Sequence, residues 1–175
     1  MSRCFKSKGS KHPTYADHSW QGLPLSTKAC RCSIMYIEHC VESDYLSLDN
    51  TIEGEAVKAV VLSFLGDVDK NTGLITSIDS GCSGCGISKK ILVVERFRGS
   101  TVGTYILYSL CKKGLGPRAI LSIEPDPVVV AGAALCGIPM IYELPSNFVQ
   151  SINTGDKVKI EQRGKQVCIV VKKEY

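Results

Sequence analysis

From about Thr51 the chain alternates short apolar runs with clusters of turn residues, and each run has its own period. Ala56–Leu62 (AVKAVVL) reads as a strand. The stretch after it, SFLGDVDKNTG, is irregular, with Gly66, Asp67, Asp69, Asn71 and Gly73 as turn formers. Leu74–Ile78 predicts a short strand and Ser80–Gly86 (SGCSGCG) a flexible loop. Ile91–Val94 (ILVV) is a continuous apolar run bounded by charges, the pattern of a parallel strand buried on both faces. Thr101–Lys113 places Val102, Ile106 and Leu110 at four-residue spacing and ends in Lys112, Lys113 and Gly114, which predicts an amphipathic helix. Ala119–Ile123 is a second buried strand. Asp126 followed by Pro127 is an N-cap with proline at the first helical position, opening a short apolar helix over Val128–Cys136 that stops at Gly137. Pro139–Tyr142 is a third strand. The order βαβαβ predicts a parallel sheet with right-handed crossovers. Val158–Gln162 and Gln166–Val171, joined across Arg163–Gly164, predict a closing β-hairpin.

Residues 1–44 show no such period. They read as a basic, cysteine-containing and partly disordered extension with a short docked piece at Ile34–Val41, set before a domain over residues 45–175. Composition agrees with one soluble domain: 175 residues, 44% hydrophobic and 22% charged. The formal charge of +4 changes meaning once it is located. Residues 1–33 hold six basic side chains and one acid, leaving fifteen basic and sixteen acidic side chains for everything else. A nearly neutral body argues against a nucleic-acid groove. The longest apolar run, Val128–Tyr142, is broken by Gly132, Gly137 and Pro139 and falls short of the ~20 residues of a membrane span. No apolar signal core follows a basic start, and nine cysteines at irregular spacing do not form a disulfide framework. The expectation is a cytoplasmic protein with reduced thiols.

Candidate chemistry gathers at the strand–RGST–helix junction. Ser100 would stand where free backbone N–H groups and the helix dipole favour negative charge, beside the fixed charge of Arg98 and the slim backbone of Gly99. A serine there is either a cap or a functional hydroxyl, and spacing alone leaves both open. No histidine or acid completes a hydrolase triad, and RGST is not the G-x-S-x-G elbow. Cys30, Cys32, His39 and Cys40 could form a four-ligand zinc set, against unpaired thiols. Cys82-x-x-Cys85 is a better-shaped pair for a metal or redox role, though it lies in a Gly/Ser loop and not at a helix start. A non-catalytic metal-binding module built on Cys82 and Cys85 or Cys30 and Cys32 is one alternative reading of the chain. Cys111, Cys136 and Cys168 fall in regular elements and read as small core residues. His12 and His18 lie in the extension. Asp67, Asp69, Glu124, Asp126 and Asp156 read mainly as turn and cap residues.

Five motifs occur in order: EGEAV (Glu53–Val57), LSFLGDVDKNTG (Leu62–Gly73), RGSTVGTYILYSL (Arg98–Leu110), IEPDPVVVAGAALCGIPM (Ile123–Met140) and TGDKVKI (Thr154–Ile160). Together they resemble the small subunits of aconitase-X-type dehydratases, over about residues 45–162, and look nearest to the branch acting on phosphomevalonate. The resemblance implies an α/β fold, a swivelling β/β/α domain that docks on a separate large subunit. It implies an iron–sulfur cluster held by that partner and no metal ligand on this chain. The reaction it implies is dehydration of a small anionic substrate, (R)-5-phosphomevalonate, to the trans-anhydro product, or alternatively of a hydroxyproline-type imino acid. Ser100 would be the general base. Arg98, Gly99 and Thr101, with Ser63, Phe64, Gly66 and Asp67 facing them, would line the substrate site. The family often has Gly-Gly-Val-Asp where this chain has Gly66-Asp67-Val68-Asp69.

Overall fold

Strand pairing organises the computed structural model, which describes residues 34–42, 48 and 50–174. Among the described residues seven strands form one sheet: β1 (Ile34–Glu42), β2 (Ile52–Leu62), β3 (Ile91–Phe97), β4 (Ala119–Ser122), β5 (Met140–Ile141), β6 (Lys157–Arg163) and β7 (Gln166–Glu174). Their order is β1-β7-β6-β2-β3-β4-β5. The β2, β3, β4 and β5 neighbours run parallel, while β6, β7 and β1 add antiparallel strands on the other side of β2. The long β2 serves both ladders. Its first four residues pair with β6, and Ala56 to Leu62 pair with β3.

Among the described residues there are also four α-helices, α1 (Phe64–Asp67), α2 (Gly103–Lys112), α3 (Pro127–Cys136) and α4 (Ser146–Ser151), and a single 3-10 turn at Ile78–Ser80. Alternation along β3 shows how the layers stack. Ile91 and Val93 enter a core with Val158, Ile160, Val167, Ile169 and Val171 of the hairpin and with Phe148 and Val149 of α4. Leu92 and Val94 enter a second core with Leu107 and Leu110 of α2 and Val129 and Ala133 of α3. All four are fully buried. Successive side chains on a strand point to opposite faces, so an unbroken apolar run is what a strand between two cores requires. The result is a β/β/α arrangement: antiparallel layer, parallel layer, helical layer.

The parallel strands, the two crossover helices and the hairpin agree with the sequence reading. Asp126 caps α3, its Oδ1 accepting from the N–H groups of Val128 and Val129, and Gly137 ends that helix in the left-handed region at φ 66°. Several boundaries move. α2 begins at Gly103 and not at Thr101, because the Gly103 N–H turns back to the Ser100 carbonyl at 2.8 Å. Leu74–Ile78 is no strand; Leu74 and Ile75 only form isolated bridges to Gly86 and Val68. The third parallel strand shortens to Met140–Ile141. Ser80–Gly86 is a tied loop, with Cys82 bonded to Cys85 and Gly84 N–H donating to Ile75.

Ile34–Val41, read from sequence as a docked piece of the extension, lies in a full edge strand along β7 that runs from Ile34↔Glu174 to Glu42↔Gln166. Residues 1–33, with their basic charge, lie outside the described residues. The expectation of reduced thiols does not hold for six cysteines. Cys40 is bonded to Cys168, Cys82 to Cys85 and Cys111 to Cys136. The physical reason is proximity that sequence spacing hides: Cys40 and Cys168 are cross-strand partners 128 residues apart, and Cys111 and Cys136 sit at the packed ends of α2 and α3.

Candidate functional site: a half-cleft at the ends of the parallel strands

The loops that follow β2, β3 and β4 all emerge at the carboxyl end of the parallel sheet. Open α/β sheets bind ligands in this place, because adjacent strands deliver their following loops to one crevice. Leu62 and Phe64 come from the first loop region, Phe97, Arg98, Gly99, Ser100 and Gly103 from the second, and Asp126, Val128 and Val129 from the third. They enclose a cleft of about 10 Å³, room for one water molecule. Most of any ligand larger than water would lie outside it.

Each wall has a local cause. Arg98 N–H donates to the Leu62 carbonyl at 2.9 Å, extending the β2–β3 ladder beyond the strand end and fixing where the RGST turn starts. Gly99 then passes close to α3; a Cβ there would stand 3.3 Å from Asp126 Oδ2. Asp126 spends Oδ1 on capping α3 and presents Oδ2 to the turn. Ser100 is half-buried, and its hydroxyl makes no hydrogen bond among the described residues. It is not the cap of α2, whose N-cap position is Val102 with no side-chain bond. The cap reading of Ser100 is therefore replaced by an unengaged hydroxyl on a turn.

Arg98 lies across the mouth. Its Nη2 donates to Asp67 Oδ1 at 2.9 Å and Oδ2 at 3.0 Å, while the Ser63 N–H donates to Asp67 Oδ2 at 2.6 Å. The sequence reading put Asp67 on the substrate-facing side. Its carboxylate is instead turned inward, 4% exposed, because burial of a charge demands a partner and Arg98 supplies one. Of the sequence-predicted set, Phe64, Arg98, Gly99 and Ser100 share the cleft. Ser63, Gly66, Asp67 and Thr101 are not among its lining residues. Asp126 was read only as a cap; the signal for its second role was its place after a strand adjacent to β3.

Among the described residues the cysteines are paired as disulfides and offer no set of free thiolates. Among the described residues one set of three candidate ligands converges, Glu38, Cys40 and Cys168, and its two sulfurs are bonded to each other. His39 faces Phe148, ring centroids 5.2 Å apart, on the opposite side of β1 from Cys40, so these two members of the zinc set do not converge. Cys30 and Cys32 lie outside the described residues. The described residues therefore do not fit an iron–sulfur cluster, which needs several free thiolates around one point. Also among them, no helix is long and apolar enough to cross a membrane.

A sequence model of the aconitase X swivel domain matches residues 44–169. The chain belongs to the aconitase X swivel-domain family. It is 45% identical over 120 residues to the phosphomevalonate dehydratase small subunit of Pyrococcus horikoshii, covering 68% of this chain and 87% of that one. It is 39% identical over 112 residues to the small subunit of the same name from Aeropyrum pernix, covering 64% and 80%. The crystal structure of Thermococcus kodakaraensis aconitase X, holo-form, superposes with a TM-score of 0.60 at 38% identity, over 69% of this chain and 90% of the other. This swivel domain thus stands among the subunits of hydro-lyases, and its mixed sheet with a parallel core is the family's fold.

Proposed function

We propose that this swivel domain is the small, base-bearing subunit of a two-chain dehydratase acting on (R)-5-phosphomevalonate. One observation carries the reading: the unengaged Ser100 hydroxyl stands beside Arg98 in a half-cleft, on a chain 45% identical to a phosphomevalonate dehydratase small subunit. A cleft with room for one water needs a second wall, and a large subunit would provide it. The aconitase X family points to an iron–sulfur enzyme. Since the described residues of this chain do not fit a cluster, we assign the cluster to the large subunit.

The chemistry asked of this chain is then limited. Ser100, as alkoxide, takes the proton from the carbon next to the substrate carboxylate. The pair of electrons left behind forms the new C=C bond as the C3–O bond breaks. The 3-hydroxyl leaves as hydroxide and becomes water by taking a proton from solvent, and loss of the captured proton from Ser100 to solvent restores the base. A free hydroxyl is a weak base, so its ionised form needs electrostatic support, and the Arg98 guanidinium is the cation of this cleft. Arg98 also offers N–H groups to a substrate carboxylate, which is planar and suits its fork. The Gly99 backbone leaves space for that approach. Phe64 and Leu62 form the apolar floor, which strengthens both interactions by excluding water. Ser63, Gly66 and Thr101 would join the site only once the second wall is in place.

The test is to reconstitute the chain with its cognate large subunit and assay water loss from (R)-5-phosphomevalonate and, in parallel, from hydroxyproline-type imino acids. Turnover of the first supports the reading. Turnover of an imino acid alone transfers the chain to the hydroxyproline branch, and turnover of neither overturns the reading.

A further inference from the structure

We propose that Asp67 is a positioning residue that holds the Arg98 guanidinium by one nitrogen so that its other N–H groups face the substrate's carboxylate. The proposal rests on the dehydratase reading above and deepens it. Asp67 is unusual in three ways. It is an acid at the edge of a site proposed to take an anion. It is 4% exposed, which an unpaired carboxylate would not tolerate. And both of its oxygens are engaged by the protein, Oδ1 once and Oδ2 twice.

The geometry shows what the pairing does to Arg98. A guanidinium carries five N–H donors on three nitrogens. Asp67 takes Nη2 alone. Nε and Nη1 make no hydrogen bond among the described residues, and the side chain is 51% exposed. Arg98 is thus fixed at two points, by its backbone N–H on Leu62 and by Nη2 on Asp67, while three donors remain open. A free arginine side chain loses rotamer entropy on binding; one already held loses less.

The carboxylate is itself held. The Ser63 N–H binds Oδ2, and the Asp67 carbonyl accepts from the N–H and Oγ1 of Thr76 at 2.8 and 3.3 Å. α1, only four residues long, is the frame that aims Asp67 at the RGST turn. Charge follows as well. Asp67 offsets part of the charge of Arg98, so the guanidinium keeps a local positive edge for Ser100 and recognises a planar anion chiefly through directed hydrogen bonds.

The test uses the reconstituted complex and the full chain. In the complex, Asp67→Asn keeps the shape of the side chain but turns an amide toward Nη2. We expect KM for the turned-over hydroxy acid to rise about tenfold or more, with a smaller change in kcat. Arg98→Ala is expected to raise KM further, and Asp67→Asn added to it should do nothing more, since the two act through one contact. Free guanidinium ion at millimolar concentration should partly rescue Arg98→Ala when Asp67 is present and fail to do so in the double variant. On the full chain, the slowly exchanging guanidinium ¹⁵N–H signals of Arg98 should be present in the wild type and lost in Asp67→Asn. Unchanged KM in Asp67→Asn, additive loss in the double variant, or rescue independent of Asp67 would each overturn the proposal. An inactive wild-type complex is a separate result, seen before any variant is made; it overturns the dehydratase reading together with Arg98's part in it.

Discussion

The two ladders joined by β2 both pair charges between strands, Lys58 with Glu95 on the parallel side, but they differ in what the strand ends leave open. On the antiparallel side many of the charges are paired among themselves across the hairpin, β1 and β2. Lys159 and Arg163 meet Glu161, Arg163 also meets Glu38, Lys157 meets Glu55, and the buried Lys173 meets Asp156 at 3.1 Å. On the parallel side the strand ends leave donors open, those of Ser100 and of the Arg98 guanidinium. A face whose charges are spent internally serves as scaffold; an end whose donors are unspent is where a ligand gains something by arriving. The apolar cores do not distinguish the halves, since both are closely packed. The difference lies in where hydrogen bonding has been left unfinished.

The largest effect that could break this comparison is at Ser100. Ser100→Ala in the reconstituted complex should lower kcat by ~10²–10⁴ while subunit assembly, followed by size-exclusion chromatography, stays intact. Activity within a few-fold of wild type would defeat the assignment of the base. Next comes the packing that supports the open end. Leu107, fully buried between α2 and the sheet, should cost ~2–5 kcal/mol of unfolding free energy on substitution by alanine, measured by urea titration. The scaffold side offers the matching test. Cys40→Ser should cost ~2–4 kcal/mol under oxidising conditions and almost nothing when the wild type is also reduced, because the lost constraint is the bond between β1 and β7.

Asp126→Ala removes the cap of α3, and ~1 kcal/mol should be lost. It should also lower activity, because Oδ2 helps wall the cleft that Ser100 occupies; a purely structural cap would leave turnover in the complex unaltered. The smallest effect is on acid stability. Lys90 first, then Lys157, hold the Glu55 carboxyl below the usual carboxylate range. A carboxyl depressed by folding adds stability that is present above its unfolded pKa and is lost as pH falls through the folded value. Wild-type chain should therefore lose slightly more stability than Glu55→Gln in thermal melts taken below the ordinary carboxylate range, and the two should keep a constant difference near neutrality.

How much of this was legible in the sequence depends on the range of the interaction concerned. Ile91–Val94 announced a strand with two buried faces because alternation, or its absence, is recorded in adjacent residues. Asp126-Pro127 announced a helix start because a cap bonds only two or three residues ahead. RGST announced the turn that carries Ser100, and the family motifs picked out the same serine. The start of α2 was misplaced by two residues because Thr101 and Val102 have no composition that forbids helix; a single bond from Gly103 to Ser100 decides it. α4 has six residues and one buried pair, Phe148 and Val149, too short a stretch for a period to register. β1 pairs with the last strand, and its partner is invisible until register places Cys40 against Cys168. Asp67 looked like one turn residue among several, since Arg98 lies 31 positions away and nothing local reports that the two meet.

β2 has a consequence for which changes the chain can absorb. Ala56 points into one core and Val57 into the other, and the same strand hands over from β6 to β3 at that point. Inserting or deleting one residue before Ala56 would reverse the parity of everything beyond it, exchanging the side chains of the two cores and turning the Leu62–Asp67 segment away from the RGST turn. The hairpin tip at Arg163–Gly164 and the loop between β5 and α4 face no such restriction. Length variation in this domain should therefore collect at its loops, while the spacing from Ile52 to Asp67 works as a ruler whose divisions cannot be changed one at a time.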